Sequence, residues 1–184
     1  MFEELIAKVG RGLDRLGIPY MLIGGQAVLH YGEPRLTRDI DVTLGVDIDR
    51  LEDILGLASE LDLTITRDDI ERFARQTNVV PCQEPSTGIR VDFIFSFIEY
   101  ERQALDRAVV KRIGGARVKV ASLEDTIILK VAAGRPRDLE DVIGMLLKNP
   151  KRDNKYILRW LRRLGPAIDR DLASDFRRLV RETR

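Results

Sequence analysis

Two aspartates one residue apart, Asp39 and Asp41, lie in Asp39-Ile40-Asp41-Val42-Thr43-Leu44, where polar and apolar residues alternate strictly. A period of two predicts a half-buried β-strand, with Ile40, Val42 and Leu44 facing a core and both carboxylates on the opposite face. Two close, unpaired anions repel and raise each other's pKa, a cost that a bound divalent cation removes. Oxygen-only ligands favour Mg²⁺ or Mn²⁺ over zinc. The spacing alone says little, because Asp47/Asp49 and Asp169/Asp171 repeat it. Those pairs read as a helix start and as part of a basic helix. Only Asp39/Asp41 has an apolar opposite face. A second alternating stretch, 89–95, puts Val91, Phe93 and Phe95 on one side and Arg90, Asp92 and Ile94 on the other. Asp92 is therefore the candidate third carboxylate.

A second component lies upstream. Tyr20-Met21-Leu22-Ile23 is a short apolar run that reads as a buried strand, and it ends in Gly24-Gly25 before a short helix over Gln26–Tyr31. Glycines let a ligand approach the backbone closely, and a helix N-terminus offers unpaired N–H groups to phosphate oxygens. A Gly-Gly turn is common. Its value here is its place, thirteen residues before Asp39.

The remaining elements must position these groups. Residues 2–16 carry Phe2, Leu5, Ile6, Val9, Leu13 and Leu16 at helical spacing, and Gly17 and Pro19 end the pattern. Residues 49–61 form an amphipathic helix, and 109–113 with 117–120 pair as a hairpin around Gly114-Gly115. From Ser122 onward only helices are expected, over 122–134, 137–149, 153–164 and 166–181. Ser122 and Asp125 suggest an approximate capping box, and Pro166 sits near a first turn. The plan is α+β: a mixed sheet with flanking helices over 1–121, then a helical bundle over 122–184 that is basic after 150. No repeat or low-complexity segment interrupts it.

Composition narrows the classes. With 184 residues and 44% hydrophobic content, the chain can bury a real core, and 33% charged residues suit a soluble protein. One Cys and one His exclude a disulfide framework and a Cys- or His-based metal cluster, and they fit the reducing cytoplasm. Neither a signal peptide nor a membrane span is readable. The net charge of +1 hides two opposed parts: residues 151–184 hold eleven basic against five acidic side chains, a net +6, so the rest carries −5. A basic helical tail beside an acidic site favours a polyanionic partner modestly. His30 reads as packed or pocket-lining, Cys82 has no His–acid context for a nucleophile, and the stripe Tyr156, Ile157, Trp160, Leu161, Leu164 reads as core.

Ile23-Gly24-Gly25, a gap of thirteen residues, then Asp39-Ile40-Asp41-Val42 resembles the signature of minimal nucleotidyltransferases of the DNA polymerase β superfamily. The fuller string from Gly24 to Gly32 and from Arg35 to Asp41 is similar to the nucleotidyltransferase toxins of abortive-infection and toxin–antitoxin systems, and to aminoglycoside nucleotidyltransferases. Val91-Asp92-Phe93 matches the third carboxylate. Lys130 and the run Arg137-Asp138-Leu139-Glu140-Asp141 look like later toxin-type motifs. Many members carry Ser where this chain has Gly25, which leaves only backbone contact there.

The resemblance implies a polymerase β-like fold and transfer of NMP from an NTP, an ATP for instance, to a hydroxyl with release of pyrophosphate. It implies that Asp39, Asp41 and Asp92 hold Mg²⁺ (or Mn²⁺), and that Asp92 helps take the hydroxyl proton. Gly24 and Gly25 would cradle phosphates, joined by Arg35, Arg38 and Lys130, with Asp138 as an accessory acid. Arg35 and Arg38 could instead pair with Asp39 and Glu33, Lys130 could be a solvated lysine, and Asp141 reads better as a cap or salt-bridge partner. The implied acceptor is RNA, such as a tRNA 3′ end held by the basic tail, and an antitoxin protein is an implied partner. Two alternatives stand beside it: transfer to a small cationic aminoglycoside, and a non-catalytic nucleotide- or RNA-binding module.

Overall fold

The computed structural model describes residues 2–96 and 98–183. The chain divides into two compact units: one from its start to Gln26 together with Thr37–Ala121, the other Ala27–Leu36 together with the residues from Ser122 onward. A single cut at residue 121 would therefore miss that 27–36 belongs with the helices. The reason is visible within the second unit. The Asn149 side-chain amide donates to the Tyr31 carbonyl at 2.7 Å, Lys148 donates to the Gly32 carbonyl at 3.0 Å, and Arg35 forms an ion pair with Asp141.

The first unit is built on a mixed seven-stranded sheet among the described residues. Its strands are β1 (Tyr20–Leu22), β2 (Asp39–Leu44), β3 (Thr64–Ile65), β4 (Val79–Gln83), β5 (Arg90–Phe95), β6 (Val109–Ile113) and β7 (Ala116–Val120), in the order β3-β4-β5-β2-β1-β7-β6. β2–β5 and β1–β7 are parallel, and the other neighbours are antiparallel. The alternation of β2 and β5 is realised: Ile40, Val42, Leu44, Val91, Phe93 and Phe95 are all fully buried. The amphipathic α1 (Phe2–Arg15) and α3 (Leu51–Glu60) supply Ile6, Val9, Leu13, Ile54 and Leu57 to the core. A Cβ on Gly12 of α1 would strike Leu57, so the missing side chain lets these helices meet closely. The β6–β7 turn uses Gly114 and Gly115 at φ 55° and 77°, a conformation that two L side chains would resist.

Four elements have no counterpart in the sequence reading: β3, α4 (Ile70–Thr77), β4 and α5 (Glu99–Asp106). Pro81 hides β4, because proline rarely sits inside a sheet. It is tolerated here because its carbonyl, and with it the nitrogen that lacks a hydrogen, faces β3. The ladder between those strands covers only Thr64–Gln83 and Ile65–Cys82 before ending.

The second unit contains the end of α2 (Gly24–Tyr31), then α6 (Leu123–Ala133), α7 (Pro136–Lys148), α8 (Asn154–Leu164) and α9 (Leu172–Glu182). Ser122 caps α6 by accepting from the Asp125 N–H at 3.1 Å. Gly134 ends that helix at φ 66° with the Arg170 guanidinium against it, where Arg170 donates to the Ala132 carbonyl. The continuous helix expected over 166–181 is broken. Asp169 adopts a left-handed φ of 51°, which closes a short 3₁₀ turn, and Asp171 then caps α9 by accepting from the Ser174 N–H at 3.0 Å. The Asp169/Asp171 pair thus makes a corner, as its polar side chains prefer. Trp160, Tyr156, Ile157 and Leu161 are buried core residues. Among the described residues no helix is long and apolar enough to cross a membrane.

Candidate active site

Parallel pairing of β2 with β5 puts Asp41 directly opposite Asp92 and Asp39 opposite Arg90. All four lie on the face away from the core, because each strand has committed its branched and aromatic residues to the other side. The sheet thereby gathers three carboxylates from two segments fifty residues apart. Arg90 sits among them, with Nε 3.5 Å from Asp39 Oδ1 and Nη2 3.4 Å from Asp92 Oδ2. Burial pushes the Asp92 carboxyl above its ordinary range, Arg90 opposes that, and Asp39 adds to it. The same carboxylates, Asp39 foremost, hold the Arg90 guanidinium above its usual value.

The glycine turn meets this cluster. The Ile23 N–H donates to the Asp41 carbonyl at 2.9 Å. Gly24 follows at φ 62°, and a Cβ there would overlap Asp41 Oδ2 and lie 3.0 Å from its Cγ. Glycine is thus required twice, by the backbone angle and by the carboxylate lying against it. α2 begins at Gly24, so its first N–H groups belong to the same region of the first unit as Asp41.

Three carboxylates and one guanidinium leave two negative charges, and oxygen donors of this kind suit a hard divalent cation. Among the described residues no three acid, His or Cys side chains already stand in metal-holding geometry. The gap between Asp39 and Asp92 is spanned by a protein cation instead. With Arg90 61% exposed and its contacts long, that ion pair is worth less than about 1 kcal/mol and yields readily to a competing cation. The residues fit the metal that the sequence motif implies.

The other expected phosphate ligands sit differently. Lys130 is buried, with Nζ 2.6 Å from Asp138 Oδ1 and 2.9 Å from Asp141 Oδ2. Arg35 clamps Asp141 in a two-pronged pair, 2.8 and 2.9 Å, and Arg135 donates to Asp138 at 2.6 Å. Burial alone would raise the Asp138 carboxyl, but its bonds to Arg135 and Lys130 outweigh that and hold it below its ordinary range. Lys130, Arg35, Asp138 and Asp141 therefore form a closed ionic network inside the second unit. The alternative of salt-bridging, open for Arg35 and Asp141 from sequence, is the one the side chains adopt, with each other as partners. Arg38 is exposed, and its carbonyl accepts from the Arg90 N–H at 3.3 Å. His30 is exposed, and burial pushes the Cys82 thiol up to about 12, so it stays protonated.

Comparison with known families decides what kind of protein carries this arrangement. A family profile described as "Nucleotidyl transferase of unknown function (DUF2204)" matches residues 2–163. The chain belongs to this nucleotidyltransferase family. No curated protein matches the nucleotidyltransferase in sequence. Solved structures share its fold. An antigenic nucleotidyltransferase-like protein from Paracoccidioides brasiliensis superposes with a TM-score of 0.55 at 19% identity, with 92% of this chain and 91% of that one covered. The antibiotic-resistance factor ANT(2'')-Ia gives 0.58 at 15% identity, covering 95% and 90%. The lincosamide antibiotic adenylyltransferase LnuA, in its lincomycin-bound crystal structure, gives 0.55 at 13%, covering 77% and 94%.

One member of the nucleotidyltransferase cluster, Arg90, carried a signal that the motif did not use. It lies two residues before Asp92 on an alternating strand, so it had to share that face. Its partnership with Asp39 depends on strand register, which no local pattern specifies.

Proposed function

We propose that this nucleotidyltransferase moves NMP from an NTP to a hydroxyl of RNA, such as a tRNA 3′ end, in a Mg²⁺-dependent reaction that releases pyrophosphate. The observation that carries the reading is the in-register placement of Asp41 beside Asp92, with Asp39 two residues away and Gly24 against Asp41. Asp39, Asp41 and Asp92 would hold Mg²⁺ (or Mn²⁺), which neutralises triphosphate charge and sharpens the attacking hydroxyl. The N–H groups at Gly24 and Gly25 receive outer phosphate oxygens, as a helix start does. Asp92, beside Asp41 in the strand register, takes the proton of the acceptor hydroxyl. The freed oxygen forms a bond to the α-phosphorus, the bond from that phosphorus to the pyrophosphate breaks, and the pyrophosphate departs. Arg38, exposed on the segment before Asp39, would meet phosphate, whereas Lys130, Arg35 and Asp138 hold the second unit together.

Support for RNA comes from α8 and α9. Lys155, Arg159, Arg162, Arg163, Arg177, Arg178 and Arg181 are exposed there, with Lys151 just before α8, a density that suits a phosphodiester chain. The motif resemblance to toxin-type members extends the reading to a cytoplasmic enzyme restrained by an antitoxin protein. A second reading, transfer to a small molecule, draws on the printed identities of ANT(2'')-Ia and LnuA as an antibiotic-resistance factor and an antibiotic adenylyltransferase.

The test supplies Mg²⁺ and each α-labelled NTP with total RNA, with aminoglycosides, or with protein. Label on RNA is the expected result. Label on an aminoglycoside supports the second reading, and no transfer at all supports a binding module. RNA labelling that survives combined Asp39→Ala and Asp41→Ala overturns the site.

A further inference from the structure

The carboxylate face does not stop at Asp92. β4 runs antiparallel to β5, with Pro81 opposite Asp92, Gln83 opposite Arg90 and Val79 opposite Ile94. Val79, Pro81 and Gln83 are the outward residues of β4, since Val80 and Cys82 are buried between them. Above this extension lies a cavity of about 440 Å³, walled by Phe73 of α4, by Val79, Pro81 and Gln83, and by Arg90 and Asp92. Of the three carboxylates only Asp92 lines it, and the glycine turn does not. Whatever fills it approaches the site from the side of the proton acceptor, away from the phosphate cradle.

The walls describe an occupant. Phe73 offers an aromatic ring, with the Arg67 guanidinium 4.5 Å from its centroid, and Val79 and Pro81 add an apolar floor. Arg90 brings positive charge to one wall, and Asp92 an acceptor for a hydroxyl proton. A flat ring, a hydroxyl and a nearby negative charge together describe a nucleotide. An aminoglycoside has no aromatic ring for Phe73 and would press ammonium groups toward Arg67 and Arg90. The volume lies within the roughly 300–1,000 Å³ of small-ligand pockets, enough for one unstacked nucleotide and too little for a duplex.

We propose that this cavity is the acceptor subsite and takes a single nucleotide, its base among Phe73, Val79 and Pro81, its phosphate toward Arg90 and its ribose hydroxyl toward Asp92. The assignment rests on the nucleotidyl-transfer reading above. An RNA 3′ terminus and a free nucleotide present the same chemistry.

The experiment compares wild type with Phe73→Ala, Phe73→Leu and Phe73→Tyr. Leucine keeps the bulk without the ring, and tyrosine keeps the ring. Binding of a fluorescent single-stranded oligoribonucleotide is measured by anisotropy without NTP or metal, and KM is measured separately for acceptor and NTP. Phe73→Ala and Phe73→Leu should weaken oligonucleotide binding and raise acceptor KM about five- to hundredfold, the span of one lost base stack. The KM for NTP should stay within about twofold and Phe73→Tyr should restore both values. An effect confined to oligonucleotides assigns the cavity to an RNA terminus, and one shared by nucleoside monophosphate competitors assigns it to nucleotides generally. Either supports the subsite. A rise in KM for NTP alone, or acceptor binding indifferent to all three variants, overturns it. Weakened oligonucleotide binding in a protein that transfers nothing would sink the parent reading while leaving the nucleotide site. Normal transfer to RNA with unchanged acceptor binding would do the reverse.

Discussion

Replacing Gly24 with alanine tests how the glycine turn and the carboxylates depend on each other. Alanine at φ 62° costs about 1–2 kcal/mol by backbone sterics alone. The new methyl would also overlap Asp41 Oδ2 and stand 3.0 Å from Asp41 Cγ, with no flexible stem between them. The Asp41 backbone cannot retreat cheaply, because its strand is pinned by pairing with β1 on one side and β5 on the other. Either the carboxylate or the turn must therefore move, by about 1 Å, a displacement that can cost a hundredfold in rate. In a domain of this size the stability loss should lower the melting temperature by about 2–8 °C. The assay follows label from α-labelled NTP into acceptor at saturating Mg²⁺, together with a melting curve. Mn²⁺ titration followed by electron paramagnetic resonance reads the carboxylates directly. A folded Gly24→Ala protein should lose about a hundredfold in kcat/KM and bind Mn²⁺ more weakly. Wild-type transfer and wild-type Mn²⁺ binding in this variant would refute the idea that the turn shapes the carboxylate site.

Four further outcomes are expected. Arg90→Ala removes the cation between Asp39 and Asp92, so Mn²⁺ binding without nucleotide should tighten up to about fivefold by the same titration, the equivalent of an exposed ion pair. Lys130→Met leaves two buried carboxylates with fewer partners and should destabilise the helical unit by about 3–5 kcal/mol in urea unfolding, while Mn²⁺ binding is retained. Asp138 titrates below its unfolded value, so its contribution is present above the ordinary aspartate range and is lost as pH falls through the lowered one; the gap between wild type and Asp138→Asn should be widest near neutrality and close below about pH 4. Changing Arg162, Arg177 and Arg181 to Gln should weaken oligoribonucleotide binding and flatten its logarithmic salt slope by about 0.7 for each phosphate contact removed.

Legibility differed between neighbouring residues for physical reasons. Asp39, Asp41 and Asp92 were readable because a strand with a period of two must turn its carboxylates away from Val, Ile and Phe. The Gly24 turn was readable because a strand-to-helix junction at that spacing is specific. The edge formed by β3, α4 and β4 was not. β3 has two residues, β4 contains Pro81, and α4 has eight, too few for periodicity to stand out. The corner at Asp169 was missed because the preceding proline suggested a helix start, while the side chains of Asp169 and Asp171 favoured a turn and a cap.

Lys130 and Arg35 mark the limit most clearly. By type and spacing they are phosphate ligands as plausible as any. Whether a cation meets a phosphate or a buried aspartate depends on which helix lies beside it, and Arg35 meets Asp141 across 106 residues of chain. The sequence by itself determined which residues face away from a core, because that follows from local periodicity and the cost of burying charge. Only the tertiary structure decided the partners, because parallel register, ion pairing and the cavity beside Asp92 arise from contacts between distant segments, whose energies no local pattern encodes.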